Sequence, residues 1–181
     1  MTFEVIENFF PTEFAFELEQ RLFNGHFAWV YNNHTSSNLD DSGYGYHTIS
    51  AWLMGGDTGS FALNPEVVDV IMKQLVAKDI MYIRNIKFNL YTRTQEIVQH
   101  GKHFDVIKFR DDMPWSESSE KTIIYYVNDN NGYTEFFPNG KDSIKVPSKF
   151  NTALYTDENM LHCSSTCTDK PARITININF K

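Results

Sequence analysis

From Ile83 to Phe180 the sequence is cut into short segments rich in β-branched and aromatic residues, with Gly, Pro, Asn and Asp between them at brief intervals. Segments so closely punctuated leave no room for long helices and read as strands. They are Lys87–Arg93, His103–Phe109, Lys121–Asp129, Gly132–Pro138, Asp142–Ser148, Thr152–Thr156, Asn159–Ser165 and Ala172–Phe180. Aromatic residues at 15%, led by 15 Phe and 9 Tyr, fit the same reading, since such side chains favour a pleated, half-buried surface.

Helical signals are confined to the N-terminal part. Pro11–Phe23 places Phe14, Leu18 and Leu22 at helical spacing, with acids early and Arg21 late, as the helix dipole prefers. Asn64–Asp79 opens on an Asn cap and a Pro, and gathers Val67, Val70, Ile71 and Leu75 on one side. Both helices are amphipathic and need a sheet or another helix to cover them. Eight short strands after a helical region predict a mainly β, α+β fold: a double-stranded β-helix (jelly-roll) barrel buttressed by N-terminal helices. With 181 residues and no repeat or low-complexity linker, residues 1–181 are expected to form one domain, with helical support in 1–82 and the barrel in 83–181. Tyr31–Ser60 mixes Gly, Ser, Asn and aromatics without a period, and reads as a long connection or as a loop closing over a site.

A formal charge of -7 argues against binding nucleic acid, where affinity comes mainly from Lys and Arg. No apolar run approaches the roughly 20 residues needed to cross a bilayer, and the N-terminus lacks a secretory pattern, so the expectation is a cytoplasmic protein without a membrane partner. Cys163 and Cys167 then read as free thiols. With His162 they also form half of a zinc-like pattern, but no second Cys/His pair at matching spacing completes it.

Chemistry is concentrated in "HFD". On a strand, residues two apart share a face, so His103 and Asp105 point the same way with Phe104 packed on the other side. An imidazole and a carboxylate arranged like this supply two ligands to one metal. His162, 57 residues beyond Asp105, is the best candidate for a third. Two histidines and one carboxylate on one side of a metal leave open positions opposite, the pattern of non-haem Fe(II) oxygenases. By itself His-x-Asp also fits a surface pair or a hydrogen-bonded core pair.

The last strand adds to the case. Ile174, Ile176, Ile178 and Phe180 form one face, and Arg173, Thr175, Asn177 and Asn179 the other. If the apolar face packs under the helices, the polar face lines the barrel, where a buried guanidinium calls for an anion such as the far carboxylate of a dicarboxylate cosubstrate. A solvated polar face is the alternative.

Taken together, "HFD", "TIIYYVNDNNGYTEFF", "LHCSS" and "RIT" resemble, in order, the motifs of the Fe(II)/2-oxoglutarate-dependent dioxygenases, in their prolyl 4-hydroxylase-like branch and most closely its small phage and bacterial forms. The resemblance covers Phe88 to Phe180. It implies Fe(II) held by His103, Asp105 and His162, and 2-oxoglutarate paired through its C5 carboxylate with Arg173. Tyr126 resembles the family's tyrosine that hydrogen-bonds that carboxylate, Tyr91 the cofactor-site tyrosine on the strand before His-x-Asp, and Thr175 the residue two after the arginine. Further implications are O2 as cosubstrate, ascorbate as an accessory reductant, and hydroxylation of a peptide, protein or small-molecule substrate, a prolyl residue among the options. The small phage form would place the protein in the cytoplasm of the bacterium or infected host cell. Asn131 stands where the family has its first glycine of a pair, as a turn accepts because Asn tolerates left-handed backbone.

The other histidines carry less. His100 is given no metal role and a place at the rim of the site, and His26, His34 and His47 read as solvated or hydrogen-bonded, with His47 the one among them to meet substrate. Two rival functions remain: a non-catalytic jelly-roll binding or scaffold module, and a zinc- or manganese-dependent cupin-like enzyme that gives Arg173 no special purpose.

Overall fold

The computed structural model describes residues 3–32, 65–105, 121–138, 142–157 and 159–180, and residues 44–49 as backbone. In chain order the elements are β1 (Phe3–Glu7), α1 (Thr12–Phe23), β2 (Val30–Asn32), β3 (Tyr44–Ile49), α2 (Pro65–Val76), β4 (Ile83–Thr92), β5 (Lys121–Tyr126), β6 (Tyr133–Phe136), β7 (Ile144–Pro147), β8 (Thr152–Asp157), β9 (His162–Ser164) and β10 (Ala172–Phe180). They build the expected mainly β jelly roll. A seven-stranded sheet in the order β1-β8-β5-β10-β4-β3-β2 accompanies a three-stranded sheet β7-β6-β9, and the strand pairs are antiparallel.

Strand alternation divides the large sheet into two faces. On one, Ile174, Ile176 and Ile178 of β10 join Ile86 and Phe88 of β4, Ile123 and Tyr125 of β5 and Ala153 of β8 in a single core. Ala15, Leu18 and Leu22 of α1, and Val67, Ile71 and Leu75 of α2, complete that core. The helices therefore cover one face of the sheet, as their apolar stripes require. Phe14 and Val70, placed on those stripes by the sequence, are half-buried at the margin. The other face of the large sheet carries a smaller apolar cluster in which Ile124, Tyr126 and Leu154 meet Phe136 of β6, Val146 of β7 and Met160. Apolar side chains from both sheets thus close one part of the barrel, and its remaining interior is polar.

Several expectations need correction. Tyr31–Ser60 is not a continuous connection: it contains the end of β2 and all of β3, which pairs with β4 through Gly45↔Leu90 to Ile49↔Ile86. Non-local backbone pairing makes this strand where the sequence offers no period. β4 begins at Ile83, ahead of the predicted Lys87, and β1 was not anticipated. Of the predicted strand His103–Phe109, His103 makes an isolated bridge, and residues from 106 to 120 lie outside the described residues, as do His34 and the Asn64 cap. Phe104 is 51% exposed and packs on no core. Asn131 is not among the described residues with left-handed backbone; Asn151, before β8, is (φ 53°). Asn131 instead uses its side chain, accepting from the Thr168 N–H at 2.9 Å and contacting the Thr168 hydroxyl at 2.7 Å. Among the described residues no helix is long and apolar enough to cross a membrane.

Candidate metal centre

His162 lies on β9, where Phe136↔His162 and Thr134↔Ser164 pair it with β6. His103 is joined to it by an isolated antiparallel bridge: the His103 N–H donates to the His162 carbonyl at 2.8 Å, and the His162 N–H to the His103 carbonyl at 3.0 Å. Residues exchanging both bonds stand directly opposite each other and present side chains on one face. The two rings are 4.5 Å apart, centroid to centroid. Asp105, two residues on, returns to the same side, with Oδ1 3.8 Å from His103 Nε2 and 3.7 Å from His162 Nε2. One ligating atom from each of the three residues lies within 4.8 Å of the others, and no other such group occurs among the described residues.

Hydrogen bonding sets each imidazole in the ligating form. His103 Nδ1 is 3.0 Å from the Gly101 carbonyl, and His162 Nδ1 2.9 Å from the Met160 carbonyl. A carbonyl only accepts, so Nδ1 carries the hydrogen in both rings, and Nε2, on the Asp105 side, is the nitrogen through which a neutral ring would ligate. Burial holds the His103 pKa below its usual value, the neighbouring His162 ring adds to this, and Asp105 opposes it. Phe136, fully buried, stacks on His162 at 5.4 Å.

The second component is Arg173, with 0% exposure. Its Nε donates to Ser148 Oγ at 2.8 Å, Nη1 to Ser164 Oγ at 2.6 Å and to the Ser165 carbonyl at 3.4 Å, and Nη2 to Thr134 Oγ1 at 2.9 Å. Every one of these acceptors is neutral. Among the described residues no carboxylate lies within ion-pair distance of the guanidinium, and burial pushes its pKa down. The Tyr91 and Tyr126 rings lie 5.5 Å and 5.7 Å from it. The Tyr126 hydroxyl, wholly buried beside Thr134, makes no well-formed hydrogen bond. A buried cation without an anion, next to a buried hydroxyl with no better contact than Thr134, is costly unless a ligand completes the set.

Gly132 is where it is because nothing larger fits: a Cβ there would come within 2.7 Å of Arg173 Cδ and 2.6 Å of the Thr166 carbonyl oxygen. Thr175 is buried on the same face, opposite Tyr126 on β5, and its hydroxyl receives the Asn89 amide at 3.4 Å. Seven sequence-predicted residues, His103, Asp105, His162, Arg173, Tyr91, Tyr126 and Thr175, therefore line one barrel interior. Sequence reasoning missed Thr134, Ser148 and Ser164. Their signal was two-residue alternation from inward-facing Phe136, Val146 and His162.

His100 is buried, 4.8 Å from the Tyr91 ring, not at a rim. His26 is exposed, and the His47 backbone, in β3, is paired with Phe88 of β4. Cys163 and Cys167 are free, buried thiols whose pKa values burial raises, and neither joins the His103, Asp105 and His162 group.

No protein-family model matches the sequence, and no curated protein does. Solved structures do match in fold. A prolyl-4-hydroxylase of Pseudomonas putida superposes with TM-score 0.59 at 14% identity, over 99% of this chain and 91% of that one. An oxidoreductase of the 2OG-Fe(II) oxygenase family from Burkholderia pseudomallei gives 0.65 at 11% identity, over 98% and 84%. The epimerase SnoN, in complex with Fe3+, alpha ketoglutarate and nogalamycin RO, gives 0.59 at 13% identity, over 99% and 78%. In fold, the chain is similar to the prolyl hydroxylases and the wider set of 2OG-Fe(II) oxygenases.

Proposed function

We propose that the chain is a single-domain, Fe(II)- and 2-oxoglutarate-dependent dioxygenase that hydroxylates a peptide, protein or small-molecule substrate. The observation that carries this reading is the convergence of His103, Asp105 and His162 in a barrel whose interior also holds Arg173 without a counter-anion. A scaffold gains nothing from burying an uncompensated guanidinium. A cupin-like enzyme without a dicarboxylate cosubstrate would leave it unexplained as well.

The residues fit both groups. His103 Nε2, His162 Nε2 and Asp105 Oδ1 would hold the metal, with the imidazole tautomers already set by Gly101 and Met160. Arg173, with the Tyr126 hydroxyl beside it, would hold the distal carboxylate of 2-oxoglutarate, giving the cation its anion and the hydroxyl an acceptor. When bound, Fe(II), 2-oxoglutarate and O2 supply an oxidant able to hydroxylate a C–H bond, with succinate and CO2 as coproducts. This chain's own residues position, orient and shelter. Phe136 walls one side of His162, and Ser148, Ser164 and Thr134 fix the plane of the guanidinium. Fold-level neighbours include a prolyl-4-hydroxylase and an epimerase in complex with nogalamycin RO, so the fold leaves the substrate class open.

Anaerobic addition of Fe(II) followed by 2-oxoglutarate tests the reading. A visible charge-transfer band that needs both components, and succinate release that disappears in His103→Ala and Asp105→Ala, are expected. Full turnover in either variant, or no iron uptake by the intact chain, overturns it.

A further inference from the structure

The amide of Asn177 faces the metal centre, and its orientation is fixed by what surrounds it. Asn177 Nδ2 donates to Asp105 Oδ2 at 3.3 Å, while Asn177 Oδ1 accepts from Asn89 Nδ2 at 3.3 Å. A flipped amide would turn its oxygen toward the carboxylate and its NH2 toward another NH2, so only one orientation satisfies both neighbours. Asn89 is itself 3% exposed and is anchored a second time on the Thr175 hydroxyl at 3.4 Å. Asn89 and Thr175 are paired residues of β4 and β10, and Asn177 follows on the same face of β10. The brace therefore rests on the sheet and not on a loop.

Its effect falls on one oxygen of Asp105. Oδ1 is the atom 3.8 Å and 3.7 Å from the two imidazole Nε2 atoms, and Oδ2 is the atom that Asn177 holds. We infer that Asn177, backed by Asn89, is a positioning residue that restricts Asp105 to one ligating oxygen. This rests on the proposed metal reading and adds to it a device of this chain. Two imidazoles and a single carboxylate oxygen would occupy one side of a bound metal ion and leave its other positions for ligands. A carboxylate free to rotate would bring its second oxygen onto the metal and close one of them. Partners of this kind, in direct contact with a ligand, commonly change metal affinity by roughly 10–100-fold when removed.

Anaerobic titration with Co(II) tests the inference without turnover, reading affinity from the binding curve and coordination from the visible d–d spectrum. Asn177→Leu, close in size but without a donor, and Asn177→Asp, which places a like charge against Asp105 Oδ2, are expected to bind Co(II) about tenfold or more weakly and with an altered band pattern. Asn89→Ala leaves Asn177 in place but frees its amide to turn, and is expected to shift the spectrum in the same direction with a smaller loss of affinity. Circular dichroism reports whether each variant is folded, and Asn89→Ala decides if neither Asn177 variant is. Folded variants with wild-type affinity and wild-type spectrum overturn the inference while leaving the metal reading intact. An intact chain that takes up no Co(II) overturns both.

Discussion

Tyr91 stands directly opposite Arg173 across the β4–β10 pairing, and the guanidinium carbon lies 5.5 Å from its ring centroid. The cation is thus packed against an aromatic wall and held by hydroxyl groups, with its charge uncancelled by any carboxylate among the described residues.

This predicts a separation of stability from ligand binding in Arg173→Met. Removing an uncompensated buried charge relieves a desolvation cost of several kcal/mol, while leaving Thr134, Ser148 and Ser164 hydroxyls without a donor costs about 1 kcal/mol each. The two nearly cancel. The melting temperature of the ligand-free variant is expected to stay within roughly 5 °C of wild type. Affinity for 2-oxoglutarate, measured by calorimetry, should fall by about 2–5 kcal/mol, the usual loss when a buried charge-assisted pair is broken. A large stability loss with binding retained would mean that the arginine serves the fold alone.

Tyr126→Phe is expected to behave differently from most buried deletions. Its hydroxyl has no well-formed hydrogen bond, so the ligand-free protein should lose nothing and gain up to about 1 kcal/mol in urea unfolding. Binding of 2-oxoglutarate should weaken by roughly tenfold, one hydrogen bond to a charged group. Unchanged binding would remove the hydroxyl from the carboxylate site.

Gly132→Ala probes the same corner from the backbone. The new methyl would stand 2.6 Å from the Thr166 carbonyl oxygen, 2.7 Å from Arg173 Cδ and 2.8 Å from Asn130 Oδ1. Arg173 Cδ is held by the hydrogen bonds of its own guanidinium and cannot swing away cheaply. Destabilisation by about 1–3 kcal/mol is expected, read as a fall in melting temperature of roughly 2–4 °C per kcal/mol, together with weaker 2-oxoglutarate binding.

How far the site could be read from sequence follows the range of the forces involved. Alternation along β10 placed Arg173, Thr175, Asn177 and Asn179 on one face, and burial of Arg173 shows that this face lines the barrel and is not solvated. Residues two apart on a strand declare their side locally, which made His103 and Asp105 legible even though the chain forms only a bridge there. Thr134, Ser148 and Ser164 come from three separate strands or strand ends, and nothing local says that they meet one guanidinium. The partner of Asn177 was hidden for the same reason, because Asp105 is 72 residues away in sequence. β3 was hidden by its composition: "YGYHTI" owes its extended form to hydrogen bonds with β4.

The remaining prediction concerns pH. His103 binds a proton less readily in the folded chain than the ordinary 6.5, chiefly because burial penalises the imidazolium and secondly because the His162 ring adjoins it. Between the lowered folded value and 6.5 the unfolded chain holds more protons, so this group's contribution to stability is complete above 6.5 and declines as pH falls below it. In the metal-free protein, the urea midpoint of wild type should therefore drop more between about pH 7 and pH 5 than that of His103→Gln, which has no such group to titrate. Proton NMR of the His103 ring should give a midpoint below 6.5. A midpoint above it would show that Asp105, which favours the charged ring, outweighs burial, and the imidazole would then enter the site protonated and unfit to ligate at mildly acidic pH.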